Sequence, residues 1–265
     1  MEIQSLASGS SGNAYIIKNR GRSLLLDAGL SGRRIFACLK AAAVDPAEIT
    51  GILLSHEHND HISGAGILSR RLQIPLYLTA GTWLGSREKL GPIPEDRINL
   101  ISPGTAFTVN DLEIWPLPAS HDAIEPVNYL FNTGLSRGAV ITDTGCVSEG
   151  VLRTLAACAA LVLEANHDEE MLRSGPYPRS LKARVAGVKG HLSNRQAARL
   201  LLELAGGGRV NRVHLGHLSV VNNSQEIALA TVTAHLAAAG MEGEPIYHNL
   251  TALPRHWPGP VLQVK

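Results

Sequence analysis

Aromatic residues are scarce in this chain of 265 residues: three Trp, five Tyr and three Phe make up 4% of it. Its core must therefore be aliphatic, built from Leu, Ile, Val and Ala. Cysteine is scarcer still. Cys38, Cys146 and Cys158 form no C-x-x-C pair and no disulfide framework, so a cytoplasmic location is expected. Cys146 and Cys158 read as small buried apolar residues. No apolar run approaches the roughly 18 residues of a membrane span, and no membrane partner is expected. The opening Met1–Ala7 lacks a basic segment followed by an apolar one, so no signal peptide is readable. Internal repeats and linkers are missing too, and a single domain over residues 1–265 is expected.

Net charge is nearly absent, at +1, but it is unevenly spread. Between Met171 and Arg199 stand Arg173, Arg179, Lys182, Arg184, Lys189, Arg195 and Arg199 with no acid among them, which leaves −6 for the rest of the chain. A local basic segment in an otherwise acidic chain suits either a solvated helix face or a phosphate-facing surface.

Short apolar runs bounded by turn residues predict strands at Glu2–Ala7, Ala14–Ile17, Ser23–Leu26 and Ile52–Leu54. Others follow at Pro75–Leu78, Asp111–Leu117, Asn128–Asn132, Ala139–Thr142, Ala160–Leu163, Val210–Leu215 and Ile246–His248. Helices are expected at Gly32–Ala42, at Ile62–Leu72 and after Ser148. Two more should start at capping boxes, Ser193-Asn194-Arg195-Gln196 and Asn223-Ser224-Gln225-Glu226. Gly206–Gly208 reads as a helix stop. Helices interleaved with a β-rich opening fit two mixed sheets covered by helices better than one parallel sheet.

The densest chemistry lies in His56-Glu57-His58-Asn59-Asp60-His61, just past a buried strand. In extended chain His56 and His58 point the same way, so two imidazoles can close on one metal ion. Asp60 and His61 sit where the next helix starts and can aim at a second point nearby. Imidazole and carboxylate together suit zinc or manganese, and iron also. His121, Asp143 and His217 each emerge from the end of an apolar run. His214 competes with His217; it lies inside the apolar run, whereas Gly216 and Leu218-Ser219 place His217 in the loop beyond.

The H-x-H-x-D-H run, followed in order by His121, Asp143 and His217, resembles the metallo-β-lactamase superfamily. The resemblance implies a four-layer αββα sandwich and two divalent metal ions bridged by Asp143. Their ligands would be His56, His58, Asp60, His61, His121, Asp143 and His217. Longer blocks narrow the likeness: Ser5–Asn13, Leu26–Ser31, Glu164–Asp168, Gly190–Asn194, His217–Ser219 and Asn222-Asn223 are similar to the YycJ/WalJ group. That group implies a DNA exonuclease acting from the 5′ end, a nucleic-acid partner, and links to repair and cell-wall signalling.

Glu164 ends a buried strand and His191 precedes a helix, and a carboxylate holding an imidazole would keep it oriented and protonated. A similar pair is found in the RNase Z branch of the superfamily; His167 is an alternative partner. The expected mechanism is attack on a phosphodiester by a hydroxide between the metals, oriented by Asp60, with His191 and Glu164 serving the leaving oxygen. Arg179, Lys182, Arg184 and Lys189, with Ser10 and Asn13 of the Gly/Ser loop, would hold flanking phosphates. The alternatives are a thioesterase of the glyoxalase II type or a lactonase, which need neither the basic segment nor the Glu–His pair, and a non-catalytic sensor. The 73 residues between Asp143 and His217 leave no room for a β-CASP insertion.

Overall fold

The computed structural model describes residues 1–207 and 209–265. The last glycine of the expected helix stop, Gly208, lies outside the described residues. The first strands are β1 (Glu2–Ala7), β2 (Ala14–Asn19), β3 (Arg22–Leu26), β4 (Ile49–Leu53), β5 (Leu76–Thr79) and β6 (Ile98–Ile101). Helices α1 (Gly32–Ala41), α2 (Asn59–Ile62), α3 (Ala65–Leu72) and α4 (Ala80–Leu90) connect them. The second half supplies β7 (Phe107–Val109), β8 (Leu112–Pro118), β9 (Val127–Asn132), β10 (Arg137–Ile141), β11 (Ala160–Glu164), β12 (Arg212–Gly216) and β13 (Leu250–Ala252). Its helices are α5 (Glu149–Leu155), α6 (Glu169–Ser174), α7 (Arg179–Val185), α8 (Asn194–Ala205), α9 (Gln225–Ala238) and α10 (Pro245–His248). The final strand, β14 (Val261–Gln263), returns to pair with β1.

Among the described residues the strands make two seven-stranded mixed sheets, ordered β14-β1-β2-β3-β4-β5-β6 and β13-β12-β11-β10-β9-β8-β7. The alternation of side chains along each strand sorts the aliphatic residues into three layers. Tyr15, Ile17, Leu24 and Leu26 of the first sheet meet Ile114, Tyr129, Phe131, Val140 and Val162 of the second. Their neighbours turn outward: Ala14, Ile16 and Leu25 pack beneath α1 and α3, and Leu161, Leu163 and Leu215 pack beneath α8 and α9. Strands buried on both faces read as continuous apolar runs, as Leu161–Leu163 and Ile52–Leu54 do. Helix, sheet, sheet, helix is the expected αββα order.

Four local expectations need correction. Ile246–His248 is helical because Pro245 opens a turn of helix there, and the strand comes after it, at Leu250–Ala252. The expected helix Ile62–Leu72 breaks at Ser63-Gly64, where the Gly64 amide bonds the carbonyl of Ala28. Ser193 and Gln196 form a reciprocal capping box, but Ser224 caps only from one side, because the third helical residue is Ile227, which has no acceptor to return. Cys158 is buried as expected, whereas Cys146 is exposed in the loop after Asp143.

Candidate metal centre

The functional side chains leave the carboxyl ends of strands in both sheets, where chain direction and register bring the following loops to one edge of the sandwich. The parallel trio β3, β4 and β5 delivers Asp27 and the run His56–His61; β10, β11 and β12, also parallel, deliver Asp143, Glu164 and His217. His121 follows β8. Three of the residues that emerge there adopt left-handed backbone: Asp27 at φ 56°, Asp143 at φ 51° and His217 at φ 53°. Such a conformation costs energy in a non-glycine residue and persists where surrounding contacts enforce it.

Two groups of donors result. His56 Nε2 lies 3.0 Å and His121 Nε2 3.3 Å from His58 Nδ1. Asp143 stands beside the second: its Oδ2 is 3.1 Å from His61 Nε2, and its Oδ1 is 3.3 Å from His217 Nε2. Asp143 also reaches back towards the first group, with Oδ1 3.7 Å from His121 Nε2. Asp60, less buried, puts Oδ2 3.7 Å from His61 Nε2. His214 joins neither group; it is buried in β12 and burial lowers its pKa to about 4. Glu57 turns away, accepting the amide of Ile124 at 2.8 Å.

The charges are matched. Burial opposes the protonation of His61, yet Asp143, Asp27 and Asp60 hold its pKa well above the usual range. Burial likewise opposes the ionisation of Asp143, but His217 and His61 keep it well below the normal carboxylate range. His56 is pushed well below its normal value by burial and by His61. The set fits a divalent metal on a direct observation: Asp143 Oδ2 is buried and makes no hydrogen bond although imidazole nitrogens surround it. Among the described residues three ligand groups are possible: His56, His58 and His121; His56, His61 and Asp143; and Asp143, Glu164, His191 and His217.

Around these donors lies a shell of polar struts. Asp27 Oδ2 accepts from His61 Nδ1 at 2.7 Å and from Ser55 Oγ at 2.8 Å, while Oδ1 accepts the Ser55 amide at 2.8 Å. A carboxylate here fixes the His61 tautomer, leaving Nε2 free to ligate. Asn13, expected to face substrate, is fully buried; its side chain instead lies 3.0 Å from His61 Nε2 and 3.1 Å from His217 Nδ1. Gly29 makes this packing possible, since a Cβ there would sit 1.6 Å from the Asp60 carbonyl that the Asn13 amide bonds. Arg255 ties the His217 loop down through the carbonyls of Leu218, Ser219 and Asn223. Sequence reasoning missed Asp27 and Arg255. Asp27 did carry a signal, being a polar side chain emitted from the end of an apolar strand, as Asp143 is.

Glu164 and His191 meet at 2.8 Å, Oε1 to Nδ1. Glu164 Oε2 accepts the amides of Thr144 and Leu192, so both oxygens are engaged. Burial disfavours charge on His191, but Glu164 outweighs it and raises the pKa to about 9. His167, the alternative partner, is buried and makes no side-chain bond to Glu164. The cleft over the donors, about 400 Å³, is lined by Ser10, Asp60, Lys89, Arg184, His191 and His217 among others. Of the expected phosphate contacts, Ser10 and Arg184 therefore face it, with Arg184 also paired to Asp122. Lys189 lines a neighbouring cavity that shares His121. Arg179 and Lys182 are not in the cleft; Lys182 Nζ bonds the Arg173 carbonyl. Lys89 was not foreseen there.

Residues 22–217 match the family model described as a β-lactamase superfamily domain. The chain is 39% identical over 235 residues to the exodeoxyribonuclease YycJ of Bacillus anthracis, covering 89% of each chain. It is 37% identical over 238 residues to the exodeoxyribonuclease WalJ of Streptococcus pneumoniae, covering 89% of this chain and 88% of the other. Among solved structures, zinc-bound PqqB from Methylobacterium extorquens shares the fold with a TM-score of 0.72 at 18% identity, over 99% of this chain and 100% of that one. The shared edge of the two sheets, the ordered donors and this coverage together place the chain in the metallo-β-lactamase superfamily, in the group that includes YycJ and WalJ.

Proposed function

We propose that this metal-dependent hydrolase cleaves phosphodiester bonds of DNA, as an exonuclease working from the 5′ end with two divalent ions, zinc or manganese. The observation that carries the reading is the His191–Glu164 pair at 2.8 Å beside a buried Asp143 that adjoins both donor groups. The names of the relatives supply the nucleic-acid substrate class. His56, His58 and His121 would hold one ion, Asp60, His61 and His217 the other, and Asp143 would bridge them. Bound there, the ions would lower the pKa of a water and neutralise phosphate charge.

The protein's own residues do the rest. Asp60, partly exposed at the cleft, accepts a hydrogen bond from the attacking water and orients it. His191, charged through Glu164, donates a proton from its other ring nitrogen to the departing oxygen or grips the phosphate. Arg184, Ser10 and Lys89 steady the flanking phosphates. The chain acts as one domain without a β-CASP insertion and works in the cytoplasm; among the described residues no helix is long and apolar enough to cross a membrane.

A nuclease panel tests the proposal. Single- and double-stranded DNA, RNA, and 5′-phosphate against 5′-hydroxyl ends are compared with Mn²⁺ and with Zn²⁺. DNA with a 5′ end should be shortened stepwise from that end. Inertness on every nucleic acid together with turnover of a thioester would replace this reading with a small-molecule hydrolase.

A further inference from the structure

A second cavity, about 490 Å³, lies at the start of α1 and is lined by Ser31, Arg33, Arg34, Ala37, Cys38 and Trp257. Trp257 is 64% exposed in a chain with only three tryptophans. An exposed indole offers a flat face on which a base can stack. Arg33 and Arg34 are exposed, and among the described residues neither pairs with a carboxylate. No acidic residue lines the cavity. A flat aromatic platform beside two guanidinium groups that no carboxylate neutralises is complementary to a base with its flanking phosphates.

The Gly/Ser loop Ser8–Asn13 packs between the metal cleft and the two chain segments that carry the cavity's lining. Ser10 lines the cleft. On one side of the loop Gly12 touches the segment that enters α1, where a Cβ would sit 2.4 Å from Leu30 Cδ2. On the other, the Ser8 amide bonds the carbonyl of Arg255 at 3.2 Å, two residues before Trp257. Arg34 closes the gap by donating to the His256 carbonyl at 3.2 Å. A strand leaving the metal cleft over Ser10 would run along the loop whose packing partners, Leu30 and Arg255, adjoin the cavity's lining residues Ser31 and Trp257 in the chain.

We propose that the cavity is a secondary binding site for single-stranded DNA, with a base stacked on Trp257 and adjacent phosphates on Arg33 and Arg34. It rests on the nuclease reading above and extends it by giving the strand a path away from the reacting phosphate. The test uses the metal-loaded full chain and a labelled 20-nucleotide single strand with phosphorothioate linkages, which bind but resist cleavage, read by fluorescence anisotropy. Trp257→Ala should weaken binding about 10-fold, the scale of one lost base stack, and Trp257→Tyr should restore it to within about twofold. Arg33→Ala should reduce the slope of log affinity against log salt by about 0.7, one phosphate contact on a single strand. Leu135→Ser, at the far end of the second sheet, should bind like the parent. Unchanged affinity in Trp257→Ala, or a tyrosine variant as weak as the alanine one, overturns the site. Cleavage by the parent protein is scored separately, so a chain that degrades DNA but ignores these substitutions refutes only the cavity. A chain that binds the strand through Trp257 yet cleaves nothing refutes only the nuclease.

Discussion

Replacing Asp27 by Asn changes one atom in a group that is 1% exposed, and its consequence can be worked from the bonds it makes. The carboxylate can only accept, so the proton in the 2.7 Å contact belongs to His61 Nδ1, and when a metal is bound it is Nε2, on the Asp143 side, that would give up its proton and ligate. An amide in the same place has one acceptor. If its oxygen keeps the Ser55 amide, its NH₂ faces His61 Nδ1; the imidazole then takes the other tautomer and Nε2 carries the proton. If the amide flips to keep His61, the buried Ser55 amide loses its partner, at about 1–3 kcal/mol. Either way the ligand is mis-set, and loss of such a supporting bond typically lowers metal affinity 10–100-fold, about 1.4–2.7 kcal/mol. Competition against a chromophoric chelator should show weakening of that size at the ion held by His61, with circular dichroism showing an intact fold. Affinity within twofold of the parent in a folded Asp27→Asn protein would refute the claim that this carboxylate sets the histidine tautomer.

Asp143→Ala should remove the second metal and abolish activity together, measured by elemental analysis and the nuclease assay; surviving activity would exclude a bridged pair. His191→Ala should keep full metal content while lowering turnover about 10²–10⁴-fold, the usual worth of a positioned acid; loss of metal would make it a ligand instead. Because Glu164 raises the His191 pKa to about 9, the charged form persists below that value and turnover should fall as pH rises through it. Glu164→Gln should move that limb to lower pH in a pH–rate profile. His214 carries the opposite shift, lowered to about 4 by burial. The unfolded chain then takes up its proton first, so stability should fall between pH ~6.5 and ~4 by up to about 3 kcal/mol. His214→Leu should flatten that part of the denaturation-midpoint curve.

The sequence by itself singled out the side chains that the fold gathers. Imidazole and carboxylate at i, i+2, i+4 and i+5 past a buried strand have the pattern of cation donors, and His121, Asp143 and His217 each stood at the end of an apolar run. It also determined the layers, since runs such as ALVLE must be buried on both faces. Residues whose role depends on a partner far along the chain were illegible. Asn13 looked like part of a phosphate loop, and only the packing of β2, α2 and the β12 loop turns it inward to His61 and His217, 48 and 204 residues away. The basic stretch was legible as charge, but helical phase decided that Arg184 enters the cleft while Arg179 and Lys182 do not. Pro245 overrode the strand pattern of Ile246–His248 by opening a turn of helix. Trp257 was invisible as anything but an aromatic near the chain end until the fold laid it beside Arg33 and Arg34. Local pattern fixes which groups are polar and where strands end; which of those ends meet at one edge is a property of sheet order, and that exists only in the folded chain.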